Sequence, residues 1–388
     1  MSATTSTGTG AAIVGVAESD LGVTNLSILT LQTQAITRAL ADAGLTLADV
    51  DGIATTGVSR FSATQVADHL GLEPRWTDST FAGGSAYEMM VARATQAIES
   101  GQASTVVISF ASNQRSAASR RLGGVTEDHT PEAQLETPYD PLFPLSYYAM
   151  AAQQYLHRFG GTHEQLAEIA VAAREWALLN PAAYRYRAGS LTAADVTSSR
   201  LVSSPLTVAD CCLVTDGGGA VVLTSLERAR DLAKPAVRVL GYGERTTNTS
   251  MTAVRDLTST GAVGSGADAF ARAGVTPSDV DVLEVYDSFT ITAALSIEAL
   301  GFCGRGEVLD FIAGGRIRPG GSLPLDTAGG GLSYCHPGQY GVLLLVEAVR
   351  QVRGESGARQ VPDAEIAVAH GTGGILSTHA TVVLGADR

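Results

Sequence analysis

Cysteine is scarce in this chain: four in 388 residues, at 211, 212, 303 and 335, with no CxxC spacing among them. Cys211 and Cys212 are adjacent and poorly placed to bridge each other, so neither a zinc site nor a disulfide framework is signalled. A reducing cytoplasm fits that pattern. No uninterrupted run of about 18 apolar residues occurs, which argues against a transmembrane helix. Positive charge is thin as well: 26 Lys and Arg against 39 Asp and Glu leave a formal net charge of −13. With no basic stripe interleaved with aromatics, that balance argues against nucleic acid and anionic membrane surfaces as partners. The opening MSATTSTGTG has neither the basic flank nor the apolar core of a signal peptide, and residues 1–10 read as a disordered tail.

What is present is material for a large core. Hydrophobic residues make up 45% of the chain and charged residues only 17%. That length and balance fit roughly two to three domain-sized units. A repeat divides them: ALADAGLTLADVD at 39–51 and AFARAGVTPSDVD at 269–281 agree at eight of 13 positions. Each copy reads as a helix end, a glycine stop at Gly44 or Gly274, a short turn and entry into a strand. The match continues through the turn, where composition alone does not fix Asp and Val. The chain therefore reads as two related α/β halves, 11–232 and 233–388.

Short β-branched runs support this reading. AAIVGVA, STVVISFA, AVRVLGYG, VLEVY, EIAVAHG and ATVVLG are expected as buried strands. SAYEMMVARATQAIESG has helical spacing, and helices are expected near 291–300 and 340–353. Between 113 and 209 the first half carries an insertion, polar and Pro- and Tyr-containing, followed by the helical HEQLAEIAVAAREWALLN. It is expected to act as a lid or a dimer element.

In duplicated α/β halves, ligands bind where strand ends and their loops converge. Four loops stand out: TFAGGS (80–85), VYDSF (285–289), LSYCHPG (332–338) and AHGTGG (369–374). The third lies within GGLSYCHPGQYG, where Cys335 stands beside His336. It raises the question of whether Cys335 is a nucleophile or only a neighbour of the site.

These loops, their order and the two halves resemble the thiolase superfamily, most of all its sterol carrier protein X-type branch. That pattern has a Cys loop opening a helix, a His-Asp-Cys-Phe loop, a Gly-His-Pro loop and a Gly-rich C-terminal loop. YDSFTITAALSIEALGFCGRGE is similar to the second, GGLSYCHPG to the third and AHGTGGILSTHATVVLG to the fourth. The resemblance runs from IVGVAESD to the last strand and includes DCCLVTDGGGAVVL (210–223). It implies a duplicated thiolase fold with layers α-β-α-β-α, a coenzyme A thioester as substrate, no tightly bound cofactor and no metal. It also implies a homodimer, and a small partner carrying an oligonucleotide-binding-type barrel and a zinc ribbon. No sterol-carrier domain is expected beyond the last strand.

Three departures from the family carry information. The nucleophilic Cys of a thiolase falls at or near Gly84 in this chain, where FAGGSAYE offers only Ser85 as a hydroxyl. Ser85 with Glu88 also spells a capping box, which is the structural alternative. Tyr286 stands where this branch has His, and Tyr334-Cys335 precedes His336 where Gly is usual. This combination resembles the steroid side-chain-cleaving aldolases, thiolase-fold enzymes that perform retro-aldol chemistry on β-hydroxyacyl-CoA, although their third loop is less like Gly-His-Pro than this one.

Such a cleavage needs a base for the hydroxyl proton, donors for the enolate oxygen and a proton for the released carbon, but no acyl-enzyme. The expected assignment is Tyr286 as base or relay, His336 as enolate-oxygen donor and Tyr334 as second acid/base. Asp287 orients its loop, and His370 with Gly371, Gly373 and Gly374 completes the pocket floor. Gly83 and Gly84 make room for substrate. Arg115, Arg120 and Arg121 are candidates for the CoA phosphates, or a solvated patch. The structural alternatives are a packed strand-end Tyr286, a satisfied His336 and a Cys335 that merely fills a tight loop. Cys211, Cys212 and Cys303 read as core. Three functions stay open: a non-covalent lyase, a thiolase or other acyltransferase using Cys335 or Ser85, and a non-catalytic subunit of a complex.

Overall fold

The computed structural model describes residues 9–118 and 129–387. The chain runs through β1 (Ala11–Glu18), α1 (Ile28–Ala43), β2 (Gly52–Thr55), α2 (Ser62–Leu70), β3 (Trp76–Asp78), α3 (Ala86–Glu99) and β4 (Thr105–Ser112). The expected insertion follows, with α4 (Leu145–Phe159), α5 (His163–Ala177), α6 (Ala193–Thr197) and the small hairpin β5 (Leu201–Ser203) and β6 (Leu206–Thr207). Then come β7 (Gly217–Ser225), α7 (Leu226–Ala229), β8 (Val237–Thr246), α8 (Ala262–Ala273), β9 (Val282–Val285) and α9 (Thr290–Ala299). The chain ends through α10 (Val308–Phe311), α11 (Gly341–Arg353), β10 (Ile366–Gly373) and β11 (Thr378–Ala386).

The large sheet is mixed, in the order β3-β2-β4-β7-β1-β8-β11-β10-β9. Outward from β1, the first two pairings are antiparallel and the next two parallel. Outward from β8, two antiparallel pairings are followed by one parallel pairing. β1 and β8 join through Ala12↔Arg238 and Ile13↔Val237. Strand alternation feeds two different cores. Ala12 and Val14 pack with α1, while Ala11 and Ile13 join a central cluster with α3 and α11. On the other side, Ala367 and Ala369 join that central cluster, and Val368 faces the core of α8 and α9. Helices α3 and α11 thus touch strands from both ends of the sheet, with α1 and α8 outside.

The repeated segments occupy corresponding places. Gly44 and Gly274 cap α1 and α8 in the left-handed conformation, at φ 72° and 70°. Thr46–Asp49 and Thr276–Asp279 each form a capping box in the following turn. Asp51 then accepts amides at the start of β4, from Ser104 and Thr105, and Asp281 accepts those of Glu365 and Ile366 at the start of β10. The shared Thr and Asp residues therefore do the same local work twice.

One expectation needs adjustment. Residues 1–10 are expected as a disordered tail, but Thr9 donates from its amide and hydroxyl to Val239 and Gly10 donates to Glu99, so these two residues are tied to the body; residues 1–8 lie outside the described residues. Within the segment expected as an insertion, α5 packs on α9 and on a π-helical turn at Gly330–Tyr334. No helix among the described residues is long and apolar enough to cross a membrane.

Candidate active site

β9 and β10 are parallel neighbours ending at the same rim. The chain leaves β9 through Tyr286 and Asp287, and the Tyr286 amide donates to the carbonyl of His370 at 3.0 Å. That bond fixes the root of the side chain. The Tyr286 hydroxyl meets His336 Nε2 at 2.7 Å, with the Gly338 carbonyl a second acceptor at 3.3 Å. The backbone of His336 is clamped in turn: its amide donates to Thr215 Oγ1 at 3.0 Å, and its carbonyl accepts the Thr215 amide at 3.1 Å. The ring of Tyr340 lies 6.0 Å from that of Tyr286 and 6.3 Å from that of His336.

Both members of the pair are buried. Burial, reinforced by the neighbouring Cys212, pushes the Tyr286 phenol well above its ordinary value, and burial pulls His336 down to about 4. At neutral pH an uncharged phenol therefore faces an uncharged imidazole. The phenol has one proton to give and the imidazole one free lone pair, so this short contact is a path for a single proton.

Asp287 braces the neighbouring loop. Its Oδ1 accepts the Gly331 amide at 2.5 Å and its Oδ2 the Leu332 amide at 3.1 Å. Burial pushes its carboxyl up to about 7, against the pull of those two amides. A Cβ at Gly330 would stand 2.1 Å from Asp287 Oδ2, and its φ is +60°, so space and backbone both require glycine there. The segment from Cys211 threads between these loops: Cys212 donates to the Ser288 carbonyl at 3.0 Å and Leu213 to that of Gly331 at 2.8 Å.

Tyr334 and Cys335 point elsewhere. The Tyr334 hydroxyl donates to Glu18 Oε1 at 2.7 Å, and Glu18 is paired with Arg350. Burial works against the Glu18 charge, but Arg350 outweighs it and holds the carboxyl below its usual range. The one hydroxyl proton of the expected second acid/base is thus given to a buried ion pair. Cys335 is fully buried, and burial, with Glu18 and Asp287 nearby, pushes its thiol well above the ordinary value. A buried neutral thiol is a poor nucleophile, and these surroundings are those of a side chain that fills a tight loop.

The capping box at Ser85 is not formed. Ser85 is buried, with its hydroxyl bonded to the Ala82 carbonyl at 2.9 Å and to Thr378 Oγ1 at 2.8 Å. A hydroxyl bonded to a carbonyl and a second hydroxyl, with no base hydrogen-bonded to it among the described residues, is not an activated nucleophile. Glu88 is buried and both its carboxyl oxygens lack a hydrogen-bond partner among the described residues; burial pushes it up to about 8. Glycine makes room for it, since a Cβ at Gly341 or Gly371 would come within 2.6 or 2.2 Å of Glu88 Oε2.

The Gly-rich loops meet each other rather than open space. A Cβ at Gly83 would lie 2.8 Å from the Cα of Gly373, and one at Gly373 would lie 1.7 Å from the Ala82 carbonyl oxygen. Gly374 accepts the hydroxyl of Tyr148 at 3.1 Å. His370 turns away from the Tyr286–His336 pair: its Nδ1 meets Thr381 Oγ1 at 2.8 Å and its ring stacks on His379 at 5.7 Å. It therefore does not form the expected floor. Arg115 is exposed, while Arg120 and Arg121 lie outside the described residues. No group of three or more His, Cys, Asp and Glu among the described residues is placed to hold a metal ion.

Thr215, Tyr340 and Tyr148 belong to the site's frame and escaped sequence reasoning. Tyr340 stood in the quoted run, four residues after His336. Thr215 lay inside DCCLVTDGGG with no spacing to mark it. Tyr148 comes from α4 in the insertion, stacked on Phe289 at 4.5 Å, and only the fold reveals it. A cavity of about 250 Å³ opens beside this corner, lined in part by Asn248, Val254, Arg255, Leu257 and Leu376.

Comparison with known proteins places the chain as a whole. Residues 243–386 match the family described as thiolase C-terminal domain-like. The chain is 35% identical to the steroid side-chain-cleaving aldolase of Thermomonospora curvata over 97% of this chain and 98% of that one. It is 36% identical to the 17-hydroxy-3-oxo-4-pregnene-20-carboxyl-CoA lyase of Mycobacterium tuberculosis, over 89% of this chain and 92% of that one. The solved structure of the Ltp2-ChsH2(DUF35) aldolase superposes with a TM-score of 0.89 at 34% identity, covering 98% of this chain and 99% of that one. Fold and full-length similarity coincide, and the chain belongs to the thiolase superfamily, in its steroid side-chain-cleaving aldolase-like branch.

Proposed function

We propose that the chain is a carbon–carbon lyase that cleaves a β-hydroxyacyl-CoA by a retro-aldol reaction, with no acyl-enzyme intermediate. The observation that carries this reading is the contact of two neutral groups, Tyr286 Oη and His336 Nε2, at 2.7 Å. As the substrate hydroxyl gives its proton to Tyr286, the phenol passes its own to His336. The bond between the α and β carbons breaks, its electron pair forms the thioester enolate, and the β carbon becomes a carbonyl. The imidazolium then stands beside the enolate and stabilises it. Return of the proton through Tyr286 to the α carbon completes the balance, so one proton serves both ends and Tyr334 is not needed.

The named substrate of the Mycobacterium tuberculosis relative supplies the first candidate. On 17-hydroxy-3-oxo-4-pregnene-20-carboxyl-CoA, the same bookkeeping gives a 17-ketone and propionyl-CoA. The cavity beside Leu376, with Arg255 on its wall, is the approach we assign to the CoA ester. The family resemblance also supports two halves descended from one duplicated unit, with a boundary near 232, and a cytoplasmic homodimer. A small barrel and zinc-ribbon partner belongs to the same proposal, in keeping with a solved relative named for two components.

The test is incubation with that CoA ester, with and without such a partner, following propionyl-CoA by mass spectrometry together with the intact mass of the protein. Release of both products with unchanged protein mass is expected. A stable acyl gain on the protein would instead establish transferase or thiolase chemistry.

A further inference from the structure

Gly84 is a glycine for a reason its own backbone does not supply. Its φ lies outside the left-handed range that favours glycine, so any residue fits the conformation. Space is what forbids a side chain. A Cβ at Gly84 would stand 1.7 Å from Cε1 and 2.2 Å from Cδ1 of Tyr286, and 2.6 Å from the Thr372 carbonyl oxygen. Those ring carbons lie along one edge of the phenol ring, between its backbone root and its hydroxyl. The ring cannot yield cheaply, because its amide is bonded to His370 and its other neighbours are the rings of His336, at 5.5 Å, and Tyr340, at 6.0 Å.

From this we infer that Gly84 is a positioning residue: the missing side chain is the slot that seats the Tyr286 ring and so holds the phenol on His336 Nε2. A methyl at position 84 drives the ring toward Tyr340 and swings the hydroxyl off the imidazole. Misplacement by about 1 Å costs a proton transfer on the order of 10²-fold in rate. The inference rests on the reading of Tyr286 as the working phenol, but its physical content, a slot matched to a ring, can be checked without substrate.

The experiment compares Gly84→Ala, Tyr286→Phe and the double variant with the full-length protein carrying nitrogen-labelled histidine. The Nε2 resonance of His336 reports the hydrogen bond from Tyr286. Gly84→Ala is expected to shift it in the same direction as Tyr286→Phe, leaving His370 and His379 in place, and the double variant to add nothing further. A wild-type His336 resonance in Gly84→Ala overturns the inference. Should Gly84→Ala fold poorly, thermal unfolding in a Tyr286→Ala background decides. There the ring is gone, and the Tm loss caused by Gly84→Ala is expected to shrink to the part due to Thr372. An equal loss in both backgrounds overturns the slot. Turnover separates the two readings: full activity in Tyr286→Phe defeats the proposed chemistry, whereas full activity in Gly84→Ala beside a dead Tyr286→Phe defeats only the positioning role.

Discussion

Tyr286 and His336 come from loops 50 residues apart and share one hydrogen bond of 2.7 Å, both of them buried and both uncharged at neutral pH. A resting phenolate or imidazolium would bind a charged ground state. A neutral pair develops charge only as the proton moves, which is when stabilisation accelerates a reaction.

That protonation state predicts the pH profile. With His336 at about 4 and Tyr286 well above the usual phenol value, kcat/KM is expected to stay level from about pH 5 to 9 as far as these two groups are concerned. Rates measured across that range check it. A limb near pH 6.5 that vanishes in Tyr286→Phe would place a normal imidazole at His336 and contradict the burial argument.

Stability should respond to His336 and Glu88 with opposite signs. The folded pKa of His336 is below its free value, so the unfolded chain binds the proton first, and stability is lost as pH falls from about 6.5 toward 4. Glu88 is raised from 4.5 to about 8, so the unfolded chain loses its proton first, and stability falls as pH rises between those values. The slope from such a group is at most about 1.4 kcal/mol per pH unit. Glu88→Gln is expected to flatten the decline in Tm between pH 5 and 8. An unchanged slope would mean that Glu88 is ionised and paired in the folded protein.

Cys335→Ala is expected to keep most of the turnover. The thiol is sealed in the central core, so its removal leaves a small void costing about 1 kcal/mol, read as a modest fall in Tm. Loss of activity at unchanged Tm would return Cys335 to the chemistry.

Tyr334→Phe separates bracing from catalysis. The change leaves Glu18 one donor short while Arg350 remains, which costs about 1–2 kcal/mol of stability. Turnover should survive once the assay temperature is kept below the new Tm. A kcat loss comparable to that of Tyr286→Phe would restore the acid/base role.

The fold was largely legible because its signals are local. The glycine caps, the Thr-Asp turns and the strand-tethering Asp51 and Asp281 are each written in neighbouring residues, and they repeat. The site was legible only as loops. Tyr286, Asp287 and His336 could be picked out, but where Tyr334 and His370 point depends on which face of a loop or strand meets a partner far off in sequence. Tyr334 finds Glu18 at 316 residues' separation and His370 turns to Thr381. The missing cysteine and the new tyrosine read as two departures in the sequence. In space they are one, since the ring of Tyr286 occupies the place a side chain at Gly84 would take.

The most direct test of this account is the turnover of Tyr286→Phe on 17-hydroxy-3-oxo-4-pregnene-20-carboxyl-CoA, measured as propionyl-CoA released under saturating substrate. The variant keeps the ring in its slot and removes only the proton path, so kcat is expected to fall by about 10²–10⁴-fold at nearly unchanged Tm. Turnover equal to that of the wild type would contradict the central claim and move the base to another residue.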